Sequence, residues 1–164
     1  MLKNFYADAY FNNITEVSPQ YLIGLGIRGI ILDIDNTLIG HNVPLPDEKI
    51  LSHLRAFEKA GLKLCVVSNN RYDRVKNFAE KIGVEFFVHD ALKPRAYGYN
   101  EASKEMELIP SQIAAIGDQV FTDVWGAKRA GCFAILTKPL HEGGETPFIA
   151  FKRILEKPFV RNKF

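Results

Sequence analysis

The feature that most constrains this chain is a series of short apolar runs that contain no alternating polar residues. Strands with apolar side chains on both faces are typical of parallel sheets covered on both sides. The pattern therefore predicts a buried parallel sheet of about five strands. The five runs are Gly29–Ile34, Leu62–Val67, Val84–Phe87, Ile113–Ile116 and Cys132–Leu136.

The segments between these runs carry apolar residues at helical spacing, and three of them end at a glycine, a common helix stop. Strands that alternate with helices predict an α/β fold, here a single doubly wound, Rossmann-like sheet with helices on both faces. The predicted helices are Asp47–Ala60, Arg71–Ile82, Ala96–Leu108, Asp123–Ala130 and Pro147–Glu156.

Length and composition indicate one globular domain. The chain has 164 residues, for which we expect one domain with a core of about residues 26–140 and extensions at 1–25 and 147–164. Its net charge of +2 is too small to indicate a nucleic-acid partner. The sequence MLKNFYADAY has no apolar signal-peptide region, and no run is long enough to span a membrane. We therefore expect a cytoplasmic protein, with at most peripheral membrane contact.

The cysteines and histidines do not indicate a disulfide or a zinc site. Cys65 and Cys132 both lie in apolar runs, so we expect buried free thiols. His141 follows the last strand, and we expect it to be a surface residue. The four histidines, which lack zinc-ligand spacing, are His41, His53, His89 and His141.

Polar side chains follow four of the predicted strands, where a doubly wound sheet binds its ligands. Because parallel strands end at the same edge of the sheet, we expect these side chains to lie together. They are Asp33, Asp35 and Thr37 after the first run, Ser68 and Asn69 after the second, Lys93 beyond the third, and Asp118 with Asp123 after the fourth.

A cluster of carboxylates needs a positive counter-charge, and oxygen ligands favour Mg²⁺. Together with Lys93, a bound Mg²⁺ would supply the charge that a phosphoryl group requires during transfer, and Ser68 could donate a hydrogen bond to its oxygens. Asp33 and Asp35 are two residues apart, so both can approach one substrate. One would attack phosphorus, and the other would act as general acid and base.

The order DxDxT, Ser, Lys-Pro and GDxxxxD resembles the haloacid dehalogenase-like phosphatase superfamily. The resemblance implies that Asp33 is the nucleophile and that Asp35 is the general acid/base. Asp118 would bind Mg²⁺ with Asp33 and the backbone carbonyl of Asp35. The remaining roles would be shaping of the phosphoryl site by Thr37, phosphoryl binding by Ser68, charge balance by Lys93 and support of the metal by Asp123. Asn69 could contact the substrate or shape its loop.

The resemblance also narrows the substrate. The segments between Thr37 and Ser68 and between Ser68 and Lys93 are too short for the cap domain that many members insert, so an open site for a large substrate is expected. The whole chain resembles the YqeG-type group of subclass IIIA, which is similar to phosphatidylglycerophosphate phosphatases. This implies a phospholipid head group as candidate substrate, with a protein or nucleotide phosphate as the alternative.

The C-terminal segment allows two interpretations. Its aromatic and basic composition is typical of a membrane-surface helix. Alternatively, the last helix packs Phe148, Phe151 and Ile154 on the sheet. The basic residues of this segment are Lys152, Arg153, Lys157, Arg161 and Lys163.

Two other functions fit part of the pattern. A receiver-type signalling domain also combines an aspartate, Mg²⁺ and a lysine, but its acceptor follows a middle strand, whereas Asp33 follows the first core strand. A phosphatase-like protein that only binds a partner would have no use for Asp35. Turnover of p-nitrophenyl phosphate would separate both from an enzyme.

Overall fold

The computed structural model describes residues 2–40, 43–140, 147–160 and 163–164. His41, His141 and Arg161 lie outside the described residues. The fold is a six-stranded sheet, parallel throughout, with the order β1-β6-β5-β2-β3-β4. The strands are β1 (Ala9–Phe11), β2 (Gly29–Leu32), β3 (Lys63–Val67), β4 (Phe86–Val88), β5 (Ile113–Gly117) and β6 (Phe133–Thr137).

The α/β fold class predicted from the sequence is confirmed, and each of the five predicted helices has a counterpart. The last one continues four residues beyond its predicted end, and the predicted start of α5 is a π-helical turn over Val120–Val124. The helices are α1 (Pro19–Gly24), α2 (Glu48–Lys59), α3 (Tyr72–Ile82), α4 (Tyr97–Glu105), α5 (Trp125–Ala130) and α6 (Pro147–Val160).

The sheet has one strand more than the five that the apolar runs predict. The additional strand, β1, is short, half-buried and paired only with β6 at the edge of the sheet. The Asp8 backbone N–H donates to the Ala134 carbonyl oxygen at 2.8 Å, and the Asp8 carboxylate accepts from the Ala134 N–H at 2.8 Å. Three residues at an edge do not need the continuous apolar pattern that marks a central strand.

Helices cover both faces of the sheet because side chains alternate along each strand. Ile30 and Leu32 of β2 belong to the core on one face, together with Leu54 and Phe57 of α2. Ile31, between them, belongs to the core on the opposite face with residues of α4 and α5. Both faces of β2 are buried, which explains why its sequence lacks alternation.

The order of the strands reverses between β2 and β5. From β2 the chain proceeds outward through β3 and β4, then returns to β5 on the other side of β2 and continues to β6. Such a switch point opens a crevice at the carboxyl ends of the two strands, where ligands bind in doubly wound folds. Asp33 follows β2 and Asp118 follows β5, so both lie beside this crevice.

The described connections leave no room for a cap. Between β2 and β3 the described residues form a short loop region and α2, and between β3 and β4 they form α3. Both cysteines are buried free thiols, as predicted. None of the helices in the described part of the chain combines the length and apolarity that crossing a membrane would require.

The last helix corrects one interpretation of the C-terminal segment. Phe148, Phe151 and Ile154 do not pack on the sheet: their exposed fractions are 66%, 58% and 58%, and Leu155 beside them is 48% exposed. Near the end of α6, Phe159 does pack inward, with ring centroids 5.2 Å from Phe5 and 6.0 Å from Phe121. The helix is therefore attached to the domain while most of its apolar side chains face outward.

Candidate active site

Three carboxylates converge at the switch point. Oxygen atoms of Asp33, Asp118 and Asp123 all lie within 4.8 Å of one another. Asp33 and Asp118 directly follow β2 and β5, and the π-helical turn after β5 brings Asp123 back to the same edge. Gly117 makes this return possible, because a Cβ atom at that position would lie 2.4 Å from the Cβ of Asp123.

Lys93 joins two of these carboxylates. Its Nζ lies 2.5 Å from Oδ1 of Asp33 and 2.7 Å from Oδ1 of Asp123, and all three side chains are nearly inaccessible to solvent. Burial by itself lowers the pKa of Lys93. The carboxylates of Asp123 and Asp33 together raise this pKa by more than burial lowers it, so it lies well above its usual value. Lys93 is therefore charged at neutral pH.

Burial acts strongly on two of the carboxyl groups. It raises the pKa of Asp33 to about 6, although Lys93 opposes the shift; the charge of Asp123 adds to it. Burial also raises the pKa of Asp118 well above its usual value, against the opposing effect of Arg153. These carboxyl groups are crowded and poorly hydrated, so a further cation would stabilise their ionised forms.

Asp35 does not belong to the group of three carboxylates that could share an ion. Its Oδ1 lies 2.5 Å from a guanidinium nitrogen of Arg74, and its Oδ2 accepts a hydrogen bond from Nδ2 of Asn70 at 2.9 Å. The side chain is half exposed and lines the same cavity as Asp33. The side chain of Asp35 is thus outside the carboxylate group, and the assignment of its backbone carbonyl to a metal stays a prediction.

Ser68 and Asn69 lie where β3 ends. Ser68 is buried, and its Oγ accepts hydrogen bonds from the N–H of Asn70 at 3.2 Å and from Nδ2 of Asn70 at 2.9 Å. The side chain of Asn69 pairs with the backbone of Lys93: Oδ1 accepts from its N–H at 2.7 Å, and Nδ2 donates to its carbonyl oxygen at 3.2 Å. Asn69 therefore holds the loop that carries Lys93, a contact that the sequence did not indicate.

Thr37 bridges two of the acidic residues. Its hydroxyl lies 3.2 Å from Oδ2 of Asp33 and 3.4 Å from Oδ1 of Asp118, and the residue is fully buried. The turn that returns Thr37 to the site passes through Asn36, whose φ is 61°. Asparagine tolerates this left-handed conformation better than most residues.

The sequence did not indicate Arg153 as a residue of this site. Its guanidinium forms an ion pair with Oδ2 of Asp118 and donates a hydrogen bond to the Asp118 carbonyl oxygen at 2.7 Å. Arg153 lies on α6, 35 residues from Asp118. Only its position in a basic segment was visible in the sequence, and that feature is equally typical of a surface helix.

A cavity of about 220 Å³ opens over these residues. It is lined by most of the side chains predicted from the sequence and also by Gln119, Thr122 and two residues of α6, Ile149 and Lys152. The structure therefore brings the predicted residues to one site. The predicted residues that line the cavity are Asp33, Asp35, Ser68, Asn69, Lys93 and Asp123.

The donor set fits a hard divalent cation. Three carboxylates supply oxygen atoms only, and these atoms are close enough to share one ion. Lys93 and Arg153 already place positive charge beside these carboxyl groups, and Arg153 also faces Glu156 at 4.0 Å. The group could therefore accept a divalent cation.

Comparison with known proteins identifies the class of this protein. The family model of the haloacid dehalogenase-like hydrolases matches residues 43–131. In overall structure the chain is similar to a cobalt-bound deoxy-D-mannose-octulosonate 8-phosphate phosphatase from Haemophilus influenzae, with a TM-score of 0.55 and 15% identity over 84% of this chain and 89% of that one. The chain belongs to the haloacid dehalogenase-like hydrolases, and it is a phosphatase.

Two relatives are similar to the chain over most of its length. The probable phosphatase YqeG of Bacillus subtilis (strain 168) is 37% identical over 141 residues, which are 85% of this chain and 81% of that protein. A chloroplastic and mitochondrial phosphatidylglycerophosphate phosphatase of Arabidopsis thaliana is 29% identical over 133 residues, which are 76% of this chain. They make up 38% of that longer protein.

Proposed function

We propose that this phosphatase is Mg²⁺-dependent and that it hydrolyses a phosphomonoester through an aspartyl phosphate on Asp33. The observation that carries the proposal is the contact of Lys93 with Asp33 beside two further carboxylates at the switch point of the sheet. In this position a carboxylate oxygen, a lysine and a cation could surround one phosphoryl group. The four sequence motifs and the relationship to a probable phosphatase support the same chemistry.

In the first step an oxygen of Asp33 attacks phosphorus, and the ester bond between phosphorus and the leaving oxygen breaks. Asp35, in its protonated form, gives its proton to the leaving alkoxide. Arg74 and Asn70 hold the side chain of Asp35 at the rim of the cavity, from which it could reach the leaving group. Lys93 would offset the negative charge of the phosphoryl oxygens.

In the second step Asp35, now ionised, accepts a proton from water as the water oxygen attacks phosphorus. The bond between phosphorus and Asp33 breaks, and inorganic phosphate and the free carboxylate are formed. When it is bound by Asp33, Asp118 and Asp123, Mg²⁺ would supply positive charge next to the transferring group. Ser68 would donate a hydrogen bond to a phosphoryl oxygen.

As substrate we propose phosphatidylglycerophosphate, presented at the surface of a membrane. The similarity to a phosphatidylglycerophosphate phosphatase supports this choice. The exposed apolar side of α6 also supports it, because the same helix lines the cavity and could bring the cavity to a membrane surface. This side is formed by Phe148, Phe151, Ile154 and Leu155. The proposal sets the enzyme in the cytoplasm as one domain, in peripheral contact with lipid and without a nucleic-acid partner.

Phosphate release from micellar phosphatidylglycerophosphate, with Mg²⁺ and with EDTA, tests the reaction. We expect turnover with Mg²⁺ and none with EDTA.

The D33N variant should be inactive because an amide is a poor nucleophile. The D35N variant should form the phosphoenzyme slowly and break it down more slowly. Phosphate trapped on Asp35 instead of Asp33 would overturn the mechanism, and faster turnover of a phosphopeptide or nucleotide would overturn the lipid assignment.

Co-sedimentation with anionic vesicles tests the membrane contact. We expect the double variant F148D/F151D to bind vesicles less than the wild-type protein, because it places charges on the exposed side of α6. A matched control is Y97D, which changes an exposed aromatic residue at the start of α4. Equal vesicle binding by all three proteins would contradict the membrane proposal without affecting the chemistry.

A further inference from the structure

The cavity has a wall that the sequence motifs do not include. Ile149 and Lys152, one helical turn apart on α6, line the cavity that contains Asp33 and Lys93. The described connections between the strands contain no cap domain, and α6 stands beside the cavity. Side chains of α6 could therefore contact the part of a substrate beyond its scissile phosphate.

In the described part of the chain, three cations of this site contact its carboxylates. Lys93 contacts Asp33 and Asp123, Arg74 contacts Asp35, and Arg153 contacts Asp118.

Lys152 differs from these cations. Within the described residues it forms no ion pair, and its Nζ lies 4.8 Å from the ring centroid of Phe148. The nearby carboxylate of Glu156 accepts a hydrogen bond from the Phe121 N–H at 2.9 Å and lies 4.0 Å from Arg153. Burial raises the pKa of Glu156, and the charge of Lys152 opposes this shift. The charge of Lys152 is thus available to a ligand.

Two residues that follow Lys152 attach α6 to the edge of the sheet. One residue along the helix, Arg153 binds the side chain and backbone of Asp118, and one turn later Glu156 accepts the N–H of Phe121. A lysine on a helix that is anchored at two points loses less conformational freedom on binding a ligand than one on a mobile tail. Lys152 is therefore well placed to select among substrates.

We propose that Lys152 binds a second anionic group of the substrate, so that the enzyme prefers phosphomonoesters that carry another phosphate ester close to the scissile one. This inference rests on the proposed phosphatase reaction and concerns its specificity. Lys93 would contact the scissile phosphoryl group, whereas Lys152 would bind the second anion at the side of the cavity formed by α6. A membrane lipid and its free head group share this chemistry, and the experiment separates them.

The test compares two soluble substrates. Glycerol 3-phosphate has one phosphomonoester, and the deacylated head group of phosphatidylglycerophosphate has the same ester plus a phosphodiester. We expect K152M to raise KM for the head group at least about tenfold more than for glycerol 3-phosphate, the range of one charge-assisted hydrogen bond. K152R should retain most of the preference because it keeps the charge. K157M removes an exposed charge of the same helix outside the cavity lining and serves as the matched control.

Two results would overturn the proposal: an equal loss by K152M on both substrates, or the same selective loss in K157M. Calorimetric binding of the head group to the D33N protein, with and without K152M, tests Lys152 independently of turnover. If the wild-type protein hydrolyses neither substrate but K152M still weakens binding of the head group, the proposed reaction fails and the role of Lys152 stands.

The two sources of the second anion differ in their dependence on a surface. If the lipid is the substrate, the preference for phosphatidylglycerophosphate in vesicles exceeds that for its soluble head group, and F148D/F151D removes the excess. If both double anions are hydrolysed equally, the substrate is a soluble bisphosphorylated compound. Either result supports the role of Lys152, provided that the K152M variant loses the preference.

Discussion

The carboxyl groups of this site differ in their burial and in the charged or polar groups that contact them. Asp33 is partly buried, with Lys93 against one oxygen and Thr37 against the other. Asp118 is buried with Arg153 against its Oδ2, whereas Asp35 lies half exposed with Arg74 and Asn70. Neighbouring carboxyl groups in unlike surroundings can take different parts in acid–base and nucleophilic chemistry.

Metal affinity should depend on pH because Asp33 has a raised pKa of about 6. Below that pH the carboxyl group holds a proton that a cation must displace, so we expect the apparent affinity for Mg²⁺ to fall by up to about tenfold per pH unit below pH 6. Calorimetric titration at pH 5 and pH 7.5, in two buffers of different ionisation enthalpy, measures affinity and proton release together. Equal affinity at both pH values would contradict the assignment of Asp33 as a ligand.

A methyl group at position 117 should disturb the acidic cluster. In G117A the new Cβ would lie 2.4 Å from the Cβ and Cγ of Asp123, so this side chain has to shift from the position in which it contacts Lys93. Overpacking of this kind costs about 1–3 kcal/mol of folding free energy. We expect kcat/KM to fall at least about tenfold, measured with denaturant unfolding alongside.

The matched control for this variant is G24A, at the end of α1, where nothing lies within 4 Å of the added Cβ. It should leave kcat/KM unchanged and change the free energy of unfolding by no more than about 1 kcal/mol. A G117A protein with wild-type metal affinity and turnover would mean that Asp123 can shift without consequence.

At the scale of elements, α6 connects the C-terminal segment to the acidic site. Its outer side exposes aromatic residues, whereas Arg153 and Glu156 on its inner side reach Asp118 and the Phe121 N–H. The apolar spacing of this helix was evident in the sequence. Which side would face the sheet was not, because both sides carry residues that could be buried.

Removing the guanidinium of Arg153 should loosen α6 and destabilise the protein. In R153M the buried Asp118 loses its partner, for which we expect a loss of about 3 kcal/mol in the absence of divalent cations. Saturating Mg²⁺ should reduce that loss of stability, because the bound cation then balances the negative charge of Asp118. Limited proteolysis with cleavage sites mapped to α6, with and without Mg²⁺, measures the loosening.

K157M is again the control, since it changes an exposed residue of the same helix. The idea of α6 as an anchored wall fails if R153M and K157M resist proteolysis equally and unfold at the same denaturant concentration.

At the scale of the whole molecule, the metal should act as a stabiliser. Cation binding only to the folded state adds about 2.7 kcal/mol at a ligand concentration of 100 Kd, which corresponds to a rise in Tm of about 5–11 °C for a domain of this size. A carboxyl pKa raised in the folded state stabilises the fold at low pH, and this contribution is lost as pH rises through about 6. The rise in Tm caused by Mg²⁺ should therefore be larger above pH 6 than below it.

Thermal unfolding with and without Mg²⁺ at pH 5 and pH 7.5 measures this difference. D118N removes one of the three carboxylates and should show a smaller Mg²⁺-dependent rise. A rise of equal size in D118N would place the stabilising cation elsewhere on the protein.

The sequence by itself determined the fold class and the set of residues at the edge of the sheet. Continuous apolar runs identify strands buried on both faces, and polar residues that directly follow such strands must meet at one edge because parallel strands end together. This is why Asp33, Ser68, Lys93, Asp118 and Asp123 could be predicted as neighbours, although 90 residues separate the first from the last.

Only the tertiary structure decided the position of β1, the contacts of Arg153 and the direction in which α6 faces. Each depends on pairing between segments far apart in the chain: β1 with β6, and α6 with the turn after β5. Local periodicity reports which side of a segment is apolar, not which distant surface it meets. The wall of the cavity, and with it the proposed selectivity of Lys152, is a property of the packed molecule.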